Sequence, residues 1–331
     1  MLADFLSRAD NQSVSTFQSS PTQSTLAPPS DEPTFKRARL TRRGFLKAGV
    51  RTGLGLGVAG LGSLAYATKI EPHRWSLSRH DLILPRLPRA FDGYRVLHAS
   101  DLHCDGVWMN RARMSQIIKL INREAADMIA LTGDFVSYNA PRFAPDVAWA
   151  LKQLRARDGV FGVLGNHDHW SGAKIMRAAL REAGVRELPN RVHTLRRGTA
   201  QSTLSGDALH IAGVDDWWMG CADLEAVQRQ LPPSGASILL AHEPDFADLS
   251  AATGRFDLQL SGHSHGGQVR VPGIGPLVLP KFGQKYHTGL YEIETPNGKM
   301  WQFTTRGLGM VGPRVRFACP PEIAVLTLRC A

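Results

Sequence analysis

Between Tyr94 and Leu164 the chain alternates short apolar runs with amphipathic stretches, and this alternation restricts the fold more than any other feature. Tyr94 to Ala99, Met128 to Leu131 and Val160 to Leu164 read as buried strands. Met114 to Ala125 keeps Met114, Ile117, Ile118, Ile121 and Ala125 in helical phase, and Pro145 to Leu154 does the same with Val147, Ala148, Leu151 and Leu154. Strand–helix–strand–helix–strand requires crossovers between parallel strands, hence an α/β sheet. Ligands of such sheets bind beyond the carboxyl ends of the strands. Each of the three runs stops at a polar cluster: Ser100-Asp101-Leu102-His103, Thr132-Gly133-Asp134 and Gly165-Asn166-His167-Asp168.

The second half repeats the plan with more strands. A helix is expected over 173–183, then strands over 192–195, 202–204 and 209–214, and a helix over 223–230. Ser237 to Ala241 reads as a strand that runs into His242-Glu243-Pro244-Asp245. After a short helix at 246–252, the run 256–261 leads into Gly262-His263-Ser264-His265-Gly266-Gly267-Gln268. Further strands follow at 268–271, 290–294, 300–304 and 323–328. The expected fold is a four-layer α/β/β/α sandwich, with two mixed sheets face to face and the polar clusters at the strand carboxyl ends. Residues 1–67 read as a disordered leader and signal peptide, 68–90 as an extended lead-in, and 91–331 as the domain.

The clusters share a chemistry. In an extended backbone, residues two apart project to one side, so His263 and His265 could face one point, as could Asp101 and His103. Carboxylate, imidazole and carboxamide together suit Mn²⁺, Zn²⁺ or Fe rather than a thiolate zinc centre. Asp101, His103, Asp134, Asn166, His242, His263 and His265 are more donors than one tetrahedral ion takes. Two divalent ions sharing a carboxylate account for them, with Asp134 as the natural bridge.

The ordered blocks D-x-H, G-D, G-N-H-D, H and G-H-x-H resemble the calcineurin-like metallophosphoesterases over roughly residues 90–328. Gly262 to Gln268, Arg306-Gly307-Leu308-Gly309 and Pro321-Glu322-Ile323 look like the YkuE/YaeI-like branch. The resemblance implies that Asp101, His103 and His265 hold one metal, Asn166, His242 and His263 the other, and that Asp134 bridges. It implies that His167 protonates the leaving oxygen or holds a phosphate oxygen, with Asp168 orienting His167. The implied reaction is hydrolysis of a phosphodiester, lipid-linked or of the cell wall, by a hydroxide held between the ions. Two other readings stand beside it: a UDP-sugar-lipid pyrophosphatase of the lipid A type, and a metal-dependent binding protein without turnover.

Thr41-Arg42-Arg43-Gly44-Phe45-Leu46-Lys47, the apolar run 54–67 and the small-x-small ending Ala65-Tyr66-Ala67 make a signal that resembles the twin-arginine type. The export machinery is then a partner, and the protein is expected in the periplasm or on the outer face of the cytoplasmic membrane. Gly55 to Gly60 fits G-x-G-x-x-G but follows no strand, so it is no dinucleotide site. The formal charge of +10 suits anionic substrates or a membrane surface, and no basic stripe interleaved with aromatics points to nucleic acid. Four scattered cysteines form no disulfide framework. Cys319 and Cys330 could pair, although two free thiols are favoured. Trp108, Trp217-Trp218-Met219 and the loop 272–282 either rim the metals or fill gaps between sheets. Arg306 is a candidate phosphate contact, and Asp215-Asp216 reads as a solvated turn.

Overall fold

A computed structural model describes residues 41–197 and 207–331. The expected leader at 11–35 and the strand at 202–204 lie outside the described residues. The chain divides into two units, Met1–Leu54 and Gly55–Ala331. Of the first unit, residues 41–54 are described, and from Arg42 they are helical. Helix α1 spans Arg42–Ala65. Among the described residues no helix is long and apolar enough to cross a membrane.

The second unit contains two six-stranded sheets. In chain order the first elements are β1 (Ser76–Ile83), β2 (Tyr94–Ala99), α2 (Arg111–Arg123), β3 (Met128–Thr132), α3 (Ala140–Leu151), β4 (Val160–Val163), α4 (Asn166–Glu182) and β5 (Arg186–Glu187). Then come β6 (Arg191–Arg196), β7 (Ala208–Gly213), α5 (Leu224–Gln230), β8 (Ala236–Leu240), α6 (Ala247–Ala252) and β9 (Leu258–Ser261). The chain closes with β10 (Arg270–Val271), β11 (Gly275–Pro276), β12 (Gly289–Thr295), β13 (Gly298–Thr304) and β14 (Glu322–Arg329). One sheet has the order β1-β14-β2-β3-β4-β5, the other β12-β13-β9-β8-β7-β6, and β10 pairs with β11 alone. Strands β2 to β5 are mutually parallel, as are β7, β8 and β9, while β14 and β6 add antiparallel partners.

The period of two along each strand sorts side chains into layers. Val96, Met128, Ala130 and Phe161 of one sheet meet Ile211, Ile238, Leu240 and Leu260 of the other in the inter-sheet core. Their neighbours Leu97, Ile129 and Leu131 point outward against Met114, Ile117 and Ile121 of α2 and Val147 and Leu151 of α3. On the far side Ala212, Leu239 and Ala241 pack with Val227, Ala247 and Ala251. The four-layer sandwich is therefore as the sequence implied.

Three local differences have physical causes. Residues 76–83 of the lead-in form an edge strand, because β14 offers them a parallel ladder from Ser76↔Glu322 to Ile83↔Arg329. Helix α3 starts at Ala140, capped by Asn139, and carries Pro145 inside rather than in its first turn. Helix α4 starts at Asn166 and kinks at Gly172 (φ 132°), so the sequence periodicity showed only the part beyond the kink. All four cysteines are free, so Cys319 and Cys330 do not pair.

His98 on β2 is wholly buried between the sheets, its Nε2 2.8 Å from Thr132 Oγ1. Burial pushes its imidazole down from 6.5 to about 3. Between those values the unfolded chain binds the extra proton, so stability falls as pH falls from 6.5 toward 3 and is unaffected above 6.5. From pH 7 to pH 5 the wild type should lose about 2 kcal/mol more than His98→Gln. Urea melts of both proteins at the two pH values measure this, and equal losses would refute it.

Candidate metal centre

The five polar clusters follow five parallel strands: β2, β3 and β4 from one sheet, β8 and β9 from the other. Chain reversal there is abrupt. Asp101, His103, Asp134, His263 and His265 all have left-handed backbones, with φ of 54°, 49°, 55°, 68° and 51°. Such conformations cost a non-glycine residue about 1–3 kcal/mol and persist only where neighbours enforce them. The enforcement is mutual. Asp101 N donates to Gly133 O at 3.0 Å, His103 N to Asp134 O at 2.9 Å and Gly262 N to His242 O at 3.0 Å. His263 N donates to Asp101 Oδ1 at 3.0 Å. Two glycines make the approach feasible: a Cβ on Gly165 would collide with Asp134 Oδ1, and one on Gly262 with Ser100 Oγ.

This geometry corrects the reasoning about His263 and His265. Their side chains do approach a common region, but not through an extended strand. Both residues are left-handed, the intervening Ser264 is right-handed (φ −75°, ψ −20°), and His265 opens a single helical turn.

The donors converge. Asp101, His103 and His265 offer ligand atoms within 4.8 Å of one another, as do Asp134, His242 and His263, and also His103, Asp134 and His167. His103 Nε2 lies 3.0 Å from His265 Nε2, and His265 Nε2 lies 3.5 Å from Asp101 Oδ1. His242 Nε2 lies 3.2 Å from both Asn166 Oδ1 and His263 Nδ1. Between the groups stands Asp134. Its Oδ1 accepts the His167 N–H at 2.9 Å, and its Oδ2 lies 3.4 Å from His103 Nε2 and 3.3 Å from His242 Nε2.

The residues fit a pair of cations. His242 Nδ1 donates to Thr132 O at 2.6 Å and His263 Nε2 to Lys281 O at 2.8 Å, which leaves Nε2 of the first and Nδ1 of the second as inward lone pairs. The outward Nδ1 atoms of His103 and His265 are buried without a partner. Burial pushes the His103 imidazole down to about 3 and that of His263 to about 4, so both keep ligand lone pairs at neutral pH. Burial raises Asp101 to about 6. Burial would raise Asp134 as well, but His242 and His103 beside it outweigh this and hold its carboxyl well below the usual range. Asp134, Asp101 and Glu243 hold the His242 imidazole well above its usual pKa, against the pull of burial.

Three expectations about residues beside the donors are corrected. Asp168 does not orient His167: its Oδ1 accepts from Phe135 N (2.9 Å) and Val136 N (3.2 Å), and its Oδ2 from Gly165 N (3.0 Å). Asp168 is the third residue of α4, where a carboxylate reaches back to free backbone N–H groups. His167 Nδ1 is held instead by the Ser137 carbonyl at 2.8 Å. Arg306 is tied to Ser76 Oγ at 2.6 Å and Glu322 Oε1 at 3.3 Å, away from the metal cavity. Asp215 is no solvated turn residue, because it pairs with His169 Nε2 at 2.8 Å and Arg177 Nη2 at 2.6 Å.

A cavity of about 440 Å³ opens over Asp134, Asn166, His167, His263 and His265. Trp170 and Trp218 wall one part of it, and Val269, Leu277, Val278, Val311 and Pro313 another. Of the tryptophans singled out in the sequence, Trp218 rims the metal cavity, whereas Trp217 packs on Phe246 and Phe282 and Trp108 on His73 and Arg113. Trp170 packs on His167 with centroids 4.8 Å apart, a helical i,i+3 contact whose spacing is present in the sequence. The Trp218 ring meets His263 at 5.5 Å, and Glu243 fixes its loop by accepting Trp217 N (3.2 Å) and Trp218 N (3.0 Å). Glu243 directly follows His242 in sequence, and no pattern signalled its role.

Residues 94–267 match the calcineurin-like phosphoesterase family. The chain is similar to the uncharacterized metallophosphoesterase YkuE of Bacillus subtilis (strain 168), 34% identical over 295 residues that cover 88% of this chain and 98% of that protein. It is 29% identical over 293 residues to the phosphodiesterase YaeI of Escherichia coli (strain K12), covering 87% of this chain and 99% of the relative. It is 27% identical over 318 residues to the UDP-2,3-diacylglucosamine pyrophosphatase LpxG of Chlamydia muridarum (strain MoPn / Nigg), covering 80% and 92% respectively.

Elemental analysis of the purified protein should find two Mn²⁺ or Zn²⁺ ions per chain. Asp134→Asn should lose both, because it removes charge from the shared oxygen. Retention of two ions by this variant would show that Asp134 bridges nothing. Saturation of each site at about a thousandfold above its Kd should add about 4 kcal/mol of stability, read as a rise in Tm that chelator reverses.

Proposed function

The chain belongs to the calcineurin-like phosphoesterase family of metal-dependent phosphoester hydrolases with two divalent ions, and on that premise we propose that it is an exported phosphodiesterase of the cell envelope. The observation that carries the reading is the position of Asp134 Oδ2 between His103 and His242, at the floor of a cavity with apolar walls. Asp101, His103 and His265 would hold one ion, Asn166, His242 and His263 the other, with Asp134 shared between them. When bound, the ions supply an acidified water for attack on phosphorus and positive charge for the phosphate oxygens.

The chain's own residues do the rest. The carbonyls of Thr132 and Lys281 fix the ring orientations of His242 and His263. His167 stands at the cavity wall with Nδ1–H donated to Ser137 O. A proton for the leaving oxygen must therefore come from its Nε2, in the imidazolium form. Asp168 acts on the loops rather than on the proton: it binds the backbone after Asp134 to the start of α4.

A diester is favoured because a relative is named as a phosphodiesterase. A lipid-linked substrate is favoured by the apolar walls, and so is the second reading, hydrolysis of a UDP-sugar lipid, which the similarity to LpxG supports. On that second reading the UDP-linked substrate would be met in the cytoplasm. Arg42-Arg43 with the following apolar run favours export by the twin-arginine route, hence the first reading and a site on the outer face of the cytoplasmic membrane. Cell fractionation separates the two: a cytoplasmic pool of the native protein would sink the exported phosphodiesterase.

With Mn²⁺ or Zn²⁺ the protein should cleave bis(p-nitrophenyl) phosphate, and Asp134→Asn should not. His167→Gln should keep its metals. It should lose about 10²–10⁴-fold in kcat on dialkyl diesters, which expel an alkoxide, and far less when p-nitrophenolate leaves. Equal losses for both leaving groups would remove His167 from the proton transfer.

A further inference from the structure

The two-stranded ribbon β10–β11 belongs to neither large sheet. Its base is fastened: Arg270 N donates to Phe317 O at 2.8 Å and Leu277 N to Val269 O at 3.1 Å. Its turn closes through Ile274 N to Val271 O at 3.0 Å. From this braced base, aliphatic side chains stand in solvent. Ile274 at the tip is 77% exposed, Leu277 59% and Val278 77%. Leu277 and Val278 also line the metal cavity, so the exposed apolar surface continues from the tip down to the donors.

We propose that this ribbon is an interfacial wedge that seats the cavity mouth on a lipid bilayer bearing anionic headgroups. The proposal rests on the envelope phosphodiesterase reading and names the surface on which that site works. Three observations select a bilayer over a protein. The exposed residues are aliphatic and carried on a narrow tip, whereas a specific protein interface needs about 1,200 Å² or more and favours aromatic and arginine anchors. Along the sequence the flanking charge is of one sign: from Leu258 to Tyr291 the chain has Arg270, Lys281 and Lys285 and no Asp or Glu, and the carboxylates of Asp245 and Asp248 meet this stretch at residues 284–286, past the ribbon. Lys285 is paired with Asp248, but Arg270 and Lys281 form no salt bridge among the described residues. Aliphatic side chains below basic ones match the acyl and headgroup depths of an anionic membrane. The continuous apolar wall then leads from the acyl region to the metals, so that a phosphoester in the headgroup plane meets His167 without leaving the interface.

Hydrogen exchange on the full-length protein with phosphatidylglycerol vesicles tests this, independently of turnover. Amides of residues 270–279 should exchange several-fold more slowly with these vesicles than without, and phosphatidylcholine vesicles should protect them less. Ile274→Glu should lower vesicle partitioning by about tenfold or more, with Tm and metal content unchanged as a check on folding. Unchanged exchange at 270–279 while the protein sediments with vesicles would overturn the wedge. So would protection that grows with protein concentration in the absence of lipid, which would identify a second copy as the occupant. Failure to cleave any phosphodiester would overturn the proposed function and leave the vesicle result standing.

Discussion

One carboxylate with two differently occupied oxygens sets the geometry of the centre. Asp134 has one oxygen committed to the backbone of α4 and the other to the imidazoles of His103 and His242. The first bond fixes the rotamer, so the second oxygen points where two sets of donors meet. All of this is out of water, where an uncompensated carboxylate is costly. Positive charge is therefore a condition of the arrangement rather than an addition to it. The short loops, the strained backbones and the glycines at 165 and 262 all follow from the need to bring five strand ends within reach of that oxygen.

Much of this was legible in the chain. The apolar runs of β2, β3, β8 and β9 record burial of both strand faces, and the period of 3.6 in α2 records burial of one face. The donors were legible because each closes an apolar run. The manner of their convergence was not. The two-residue spacing in His263-Ser264-His265 is real, yet left-handed turns produce the approach; Asp and His visit that region more readily than most residues, but identity alone does not say which of them do. Asp168 and Arg306 were misread for a related reason. Both are charged and close to the motifs in sequence, but their partners are backbone amides in one case and Ser76 with Glu322 in the other, brought in by distant strands. Strand β1 was hidden because an edge strand has a face and a border in solvent and so shows a weak apolar pattern.

A second buried charge supports the first. Arg316 is wholly buried and donates to the carbonyls of Cys319 (2.9 Å), Arg306 (2.8 Å) and Gly309 (2.6 Å). The carbonyls of Arg306 and Gly309 belong to the turn whose Gly307 packs on the Asp101 side chain. Leu308 N in turn donates to Ser100 O at 3.0 Å. A guanidinium bound to several carbonyl oxygens holds a turn more rigidly than a single contact could. Here it holds the turn that closes behind Asp101, so the late G-L-G block of the sequence serves the first donor block structurally.

The donors come from both sheets, and this has a topological consequence. His103 and His265 are 162 positions apart and belong to different halves of the chain, yet their rings lie 4.9 Å apart and stacked. An ion bound there would act as a removable cross-link that closes a very long loop, much as a disulfide restricts the unfolded chain. The free cysteines supply no such tie. Cohesion between the halves would then vary with metal supply, and the ions that equip the site for chemistry would also fasten the two sheets together.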